Sequence, residues 1–76
     1  MKYYTIVVSG YEPIQARWTL KEARKELTSI LSEGFKECRA RYKRAVLHRE
    51  TPNTGSITLA RDRRSTLWFA ATIIPV

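Results

Sequence analysis

The chain has 76 residues, a formal net charge of +7 and a single cysteine. This length predicts one small domain, in which a deep catalytic cleft is not expected. One cysteine excludes an internal disulfide framework, and no spacing is typical of a zinc site, so we expect neither a metal nor a cofactor. The only uninterrupted aliphatic run near the N-terminus, Ile6-Val7-Val8, is too short for a signal peptide or a membrane span. We therefore predict a cytoplasmic protein with no membrane partner.

Basic residues are concentrated in the second half of the chain. Residues 1–34 hold five basic and four acidic residues, whereas residues 35–76 hold nine basic and three acidic ones. Nearly all of the net charge of +7 therefore belongs to the second half. Such a domain attracts polyanions, chiefly nucleic acid. The simpler alternative is that these arginines only lie on an exposed, solvated face and bind no partner.

The first 18 residues predict a β-hairpin. Tyr3 to Ser9 is rich in aromatic and β-branched residues, which favours a strand. Gly10-Tyr11-Glu12-Pro13 is typical of a turn. From Ile14 to Trp18 apolar and polar residues alternate, as in a half-buried strand, although the segment is short enough to be an extended loop.

The segment from Trp18 to Gly34 predicts one amphipathic helix. Thr19 followed by Glu22 forms a capping-box pattern at its start. Gly34 followed by Phe35 predicts its end, because a left-handed glycine commonly terminates a helix. The apolar stripe of this helix consists of Leu20, Ala23, Leu27, Ile30 and Leu31.

Two structures are open for the segment that follows. Apolar residues at helical spacing from Phe35 onward would make a second helix as far as Arg49. Basic residues that alternate from Arg39 to Lys43 favour an exposed edge strand instead.

The turn sequence from Thr51 to Gly55 decides in favour of a hairpin. We predict a connecting segment over residues 35–40 and strands over Tyr42–Glu50 and Ser56–Arg61. Asp62-Arg63-Arg64-Ser65 is a second turn, and Thr66–Ile74 is the most apolar strand.

These elements predict an α+β fold, a two-layer sandwich of one amphipathic helix packed on an antiparallel sheet in the order β-β-α-β-β-β. The helix stripe should cover one face of the sheet. The strand residues expected in this core are Ile6, Ile57, Leu59, Leu67, Phe69 and Ile73.

The second face of the sheet would have no cover within the chain. By alternation it should carry Tyr3, Thr5, Val7, Ser56, Thr58, Trp68, Ala70 and Thr72. An apolar face of this kind usually meets a partner. We predict a homodimer through this face, with Tyr3 and Trp68 in the interface. The alternative is that strong coiling of the sheet hides the aromatic residues under the C-terminal tail.

Catalysis is not expected. Cys38 and His48 are the only residues of their kinds, and a nucleophilic pair would need an orienting third residue and an oxyanion loop, for which the sequence offers no pattern. A buried thiol and a surface imidazole are the favoured interpretation. No phosphate-binding loop is present in the sequence.

Binding of nucleic acid, or of a nucleoprotein complex, is the leading functional hypothesis. Arginine outnumbers lysine in the second half, and its planar guanidinium suits phosphates and stacked bases. Without a known recognition motif, binding should be non-specific or directed by shape. The predicted binding residues are Lys36, Arg39, Arg41, Lys43, Arg44, Arg49, Arg61, Arg63 and Arg64.

The order of elements also suggests a different class of function. A strand, the capped helix start from Thr19 to Arg24 and an arginine-rich meander together resemble the layout of some small anti-CRISPR proteins encoded by phages and mobile elements. The resemblance covers most of the chain as an order of elements and carries over no single residue. It implies an inhibitor that docks on a host protein. A third interpretation is a subunit whose basic charge is incidental.

Overall fold

One helix packs on a four-stranded antiparallel sheet in the computed structural model, which describes residues 2–42, 44–61 and 64–76. The spatial strand order is β1-β4-β3-β2. The predicted α+β class is confirmed, but the order is β-α-β-β-β, with one strand fewer than expected. The elements are β1 (Tyr4–Val8), α1 (Leu20–Arg41), β2 (Ala45–Thr51), β3 (Thr54–Arg61) and β4 (Arg64–Pro75).

The predicted strand from Ile14 to Trp18 is wrong. This segment meets β1 at separate points: the Ile14 N–H donates to the Ile6 carbonyl, and Trp18 forms an isolated bridge with Tyr4. Between these points the Ala16 N–H donates to the Ile14 carbonyl at 2.9 Å within the segment, so the backbone turns locally instead of continuing a ladder with β1. The segment instead lies along β1 as an irregular cover of its outer edge.

The helix begins where the sequence predicts. The Glu22 N–H donates to the Thr19 hydroxyl at 3.3 Å, and the Thr19 N–H donates to the Glu22 carboxylate at 3.1 Å. Hydrogen bonds from the Thr19 side chain and backbone lower the pKa of Glu22, because they favour its charged form. The capping box is therefore confirmed.

The predicted end of the helix at Gly34 is wrong, and so is the connecting segment over residues 35–40. α1 continues to Arg41, and the Tyr42 N–H donates to the Cys38 carbonyl at its end. Gly34 lies inside the helix where it approaches β3: a Cβ there would stand 3.3 Å from Ile57 Cδ1. This glycine permits close packing rather than a left-handed turn. No helix in the described part of the chain is long and apolar enough to cross a membrane.

The core lies between α1 and one face of the sheet. Ile6, Leu27, Leu31 and Ile57 are fully or almost fully buried, as predicted. A second glycine, Gly55, allows Leu31 to rest directly on β3, because a Cβ at this position would overlap the Leu31 side chain. The other buried apolar residues are Val8, Ala23, Cys38, Leu59, Ala71 and Ile73.

A β-bulge in β4 places two of its residues on the faces of the sheet opposite to those predicted. Ile57 pairs with Phe69 while Thr58 pairs with Leu67, so Trp68 is an extra residue on β4. Leu67 falls on the face away from the helix and is 58% exposed, whereas Trp68 packs on the helix side against the cluster of Cys38, Ile57 and Leu59. The prediction of Leu67 as core and of Trp68 on the opposite face is wrong.

The sheet is staggered, which makes the molecule long. β1 pairs only with residues 71–75 of β4, while β3 pairs with β4 from residue 72 back to residue 64. The β3–β4 hairpin therefore extends well beyond the end of β1. The principal extents are 46, 21 and 18 Å.

Candidate functional site

Four parts of the chain meet at one end of the elongated molecule. We call this end the hairpin end. α1 runs in the same direction as β3: Leu31 lies over Gly55, and Cys38 packs against Leu59. The start of β2 is at the same level, since Ala45 pairs with Leu59. The hairpin end consists of residues 36–42, 44–46, 59–61 and 64–68.

Three arginines of the hairpin end lie in the last turn of α1 or in the turn after it, and all three are exposed. The Arg39 guanidinium carbon lies 5.8 Å from the centroid of the Phe35 ring, a cation–π distance. Arg41 is paired with Glu37 at an N–O distance of 3.7 Å. Arg44 has no hydrogen bond or ion pair to the described residues. Arg39 and Arg41 also lie in the last turn of α1, where the helix dipole favours cations.

The β3–β4 hairpin adds two basic positions at the same end. Arg61 of β3 pairs with Arg64 of β4, and this pair lies two residues further along β3 than Leu59. Lys36, also predicted as a binding residue, is exposed on α1 three residues before Arg39. Lys43 and Arg63 lie outside the described residues. Apart from Arg49, the predicted binding residues that the structure describes belong to the hairpin end.

Arg49 is the exception. It lies at the opposite end of β2, where it donates to the Thr28 hydroxyl of α1 at 3.0 Å. It also donates to the Thr51 carbonyl at 3.3 Å and to the Pro52 carbonyl at 3.0 Å. Beside it, Arg24 Nε donates to Asn53 Oδ1 at 2.8 Å. Through these hydrogen bonds Arg49 connects the β2–β3 turn to α1.

Replacement of Arg49 with alanine should lower the free energy of unfolding by about 1 kcal/mol, because three hydrogen bonds at an exposed site are lost. Urea unfolding followed by circular dichroism measures the change. Arg44→Ala is the matched control and should leave stability unaltered. Equal stability of the two variants would contradict the structural role of Arg49.

The Cys38 and His48 side chains lie on opposite sides of the sheet. Cys38 is fully buried between α1 and the sheet, and burial raises the pKa of its thiol, which disfavours the reactive thiolate. His48 pairs with Ser56 in the register and its Nε2 lies 3.0 Å from Thr58 Oγ1 on the helix-free face. These two residues cannot form a nucleophilic pair. The described residues contain no cluster of three or more side chains suited to a metal ion.

The helix-free face differs from its predicted composition. Thr54 and Thr72 share a hydrogen bond of 3.0 Å on this face, and Leu67 and the 42%-exposed Val46 are its most exposed apolar residues. Trp68 is absent from it because of the bulge. Tyr3 precedes β1, and its carbonyl accepts from the Val76 N–H at the end away from the hairpin. The two predicted interface aromatics therefore do not meet.

A groove that the sequence did not predict runs beside α1. Its two halves have volumes of about 670 and 340 Å³, and Gly34, Glu37 and Phe69 line both. The 340 Å³ half is bounded by Tyr11 and Trp68. No sequence signal marks this groove, because it depends on where β1 stops relative to β4.

Comparisons with protein-family models, with curated proteins and with solved structures find no match to the chain.

Proposed function

We propose that the protein is a non-catalytic binding protein whose hairpin end contacts the phosphate backbone of nucleic acid. The observation that supports this most directly is the shared location of Arg39, Arg44 and the paired Arg61 and Arg64 positions at one end of a long molecule. Among the described residues of this end, Glu37 is the only carboxylate. A cluster of basic residues with so little negative charge attracts polyanions.

The chemistry of such contacts is electrostatic. Lysine and arginine side chains that reach phosphates release condensed counterions, and this release drives binding without base recognition. If about four to six side chains of the hairpin end reach phosphates, log K should fall with log salt at a slope of roughly −3.5 to −5.5 on duplex DNA. The exposed Arg39, which lies over the half-buried Phe35 ring, can add stacking where the strand is single.

The test compares two doubly neutralised variants of equal net charge. Arg39→Gln/Arg44→Gln removes charge at the hairpin end, while Lys21→Gln/Lys25→Gln removes it from the exposed first part of α1. Binding of fluorescent duplex DNA and of single-stranded RNA is measured by anisotropy at several salt concentrations.

The arginine variant should bind about tenfold more weakly or worse, and its salt slope should become shallower by about 2. The lysine variant should stay close to the unmodified protein. Equal losses in both variants would show that only net charge matters, and no binding at low salt would remove the proposal.

Two further hypotheses stay predictions. An inhibitor that docks on a host protein, as the resemblance to small anti-CRISPR proteins implies, would use the same cationic residues. A homodimer through the helix-free face would have to rely on Val46 and Leu67, since Trp68 faces the helix. Retention of a partner after nuclease treatment separates the first of these from binding to nucleic acid.

A further inference from the structure

The outer edge of β4 has a vacant strand position. β1 pairs with β4 only as far back as Ala71, and Ser9 makes the last contacts: its N–H donates to the Ala70 carbonyl, and its hydroxyl accepts from the Ala70 N–H. The chain then turns at Gly10, which has a φ of 82°. β4 continues to Arg64, and no strand of the described chain pairs with its residues 64–69 on this side. An extended chain placed there would continue the line of β1.

The helix extends over this vacant position. α1 reaches Arg41, well past the end of β1, so one flank of its second half has no strand beneath it. The groove beside the helix is the resulting space, with Ile30 and Phe69 in one half and Trp68 in the other. A strand beside β4 would therefore find backbone partners on one side and, above it, a groove that is mainly apolar around Ile30 and Phe69 and mixed in character beside Trp68.

We propose that a partner protein adds an acidic, extended segment as a strand to the β4 edge at residues 65–69. Strand addition of this kind draws affinity from main-chain hydrogen bonds and specificity from pockets for alternate side chains. At about 3.3 Å per residue the open edge accommodates about five residues. Alternate apolar side chains of the segment enter the groove, and the intervening side chains lie beside Leu67 on the helix-free face.

The net charge of the protein favours an acidic segment over a second copy of the chain as the occupant of this edge. The rim of the groove carries Lys36 and Arg41 as well as Glu33 and Glu37, so the rim itself is balanced. The surrounding field is set by the net charge of +7. A second copy would bring the same positive charge and its own hairpin end to this edge. An acidic segment is attracted instead.

A designed peptide supplies the probe: acetyl-Val-Glu-Val-Asp-Val-Glu-Val-amide. The peptide is titrated into the Trp18→Phe variant, in which Trp68 is the one remaining tryptophan. The change in Trp68 fluorescence measures binding. Two N-methylated versions of the peptide block opposite sets of alternate amides. Only one set can face β4, so one version should lose at least tenfold in affinity while the other keeps its affinity within about threefold.

Equal behaviour of the two methylated peptides would overturn strand addition, because charge and hydrophobic contact alone do not distinguish the two sets of amides. Absence of binding by the unmethylated peptide at millimolar concentration would overturn it as well.

A pair of tyrosine variants locates the site. Tyr11 lines the groove and is 75% exposed, so Tyr11→Ala should preserve the fold and weaken peptide binding about three- to tenfold. Tyr3→Ala removes an exposed tyrosine at the far end and should leave peptide binding unchanged. Equal effects of the two variants would overturn the assignment. Neither tyrosine belongs to the cationic cluster, so loss of peptide binding is separable from loss of nucleic-acid binding.

Discussion

Replacement of Gly55 with alanine is expected to destabilise the protein by about 2 to 3 kcal/mol, the upper part of the range of about 1 to 3 kcal/mol that is typical of an overpacked core. A Cβ at this position would overlap Leu31 Cδ1 and lie 3.2 Å from the His48 carbonyl oxygen. The Leu31 side chain is almost fully buried, so it cannot swing into solvent without loss of the contact between α1 and β3. For a domain of this size such a loss is a large part of the total stability.

Gly34→Ala is the matched comparison, because this glycine also faces β3 at close range. Its added Cβ would meet the flexible tip of Ile57 at 3.3 Å, so a displacement of a few tenths of an ångström suffices. Alanine also gains about 1 kcal/mol of helix propensity over glycine. The two effects oppose each other, and a change of no more than about 1 kcal/mol is expected.

Urea unfolding followed by circular dichroism measures both variants, and a double mutant tests the cause. Leu31→Ala alone should cost about 2 to 5 kcal/mol because it leaves a cavity. Gly55→Ala/Leu31→Ala should cost clearly less than the sum of the two single changes, since the new methyl group occupies part of that cavity. Additive costs, or a Gly55→Ala variant as stable as Gly34→Ala, would contradict the packing described here.

The glycines also explain why one end of the helix could be predicted and the other could not. The start depends on Thr19 and Glu22, which interact within one turn and need no other part of the chain. Gly34 is locally compatible with a helix end or a helix interior. The helix interior at Gly34 packs against Ile57, far away in sequence, whose Cδ1 would lie 3.3 Å from an added Cβ, and no local pattern reports this contact.

The location of the cationic residues was only partly predictable. Excess positive charge after residue 34 is a property of the sequence, and most of the selected residues do lie at the hairpin end. Arg49 lies apart from the other selected residues, and charge alone could not predict this, because it does not distinguish a free arginine from one that donates to Thr28 and to the turn carbonyls. The groove was missed because it results from the stagger between β1 and β4, which no local pattern encodes.

The bulge in β4 is the clearest limit of alternation as a guide. Leu67, Phe69, Ala71 and Ile73 share one side of an unbroken strand, and three of them do face the helix. One extra residue at Trp68 reverses the assignment on its N-terminal side. The exchange places the larger aromatic side chain against the cluster of Cys38, Ile57 and Leu59 and leaves the leucine mostly exposed.

Replacement of Leu67 and of Trp68 with alanine should therefore destabilise the protein in the opposite order to the one that alternation predicts. Trp68→Ala should cost about 2 to 3 kcal/mol, because the indole packs against the cluster of Cys38, Ile57 and Leu59 and lies 6.2 Å from the Phe69 ring, measured between ring centroids. Leu67→Ala should cost about 0.5 kcal/mol or less, since its side chain is mostly exposed.

Far-ultraviolet circular dichroism in urea is the suitable measurement for both variants, because Trp68→Ala removes one of the two tryptophans that fluorescence would report. Both changes remove an apolar side chain from the same strand and leave the net charge intact, so a difference in unfolding free energy reflects the face on which each residue lies. A larger cost for Leu67→Ala than for Trp68→Ala would mean that β4 is unbroken and that its leucine belongs to the core. With an unbroken strand, Trp68 would return to the helix-free face, and a dimer through that face would regain its aromatic anchor.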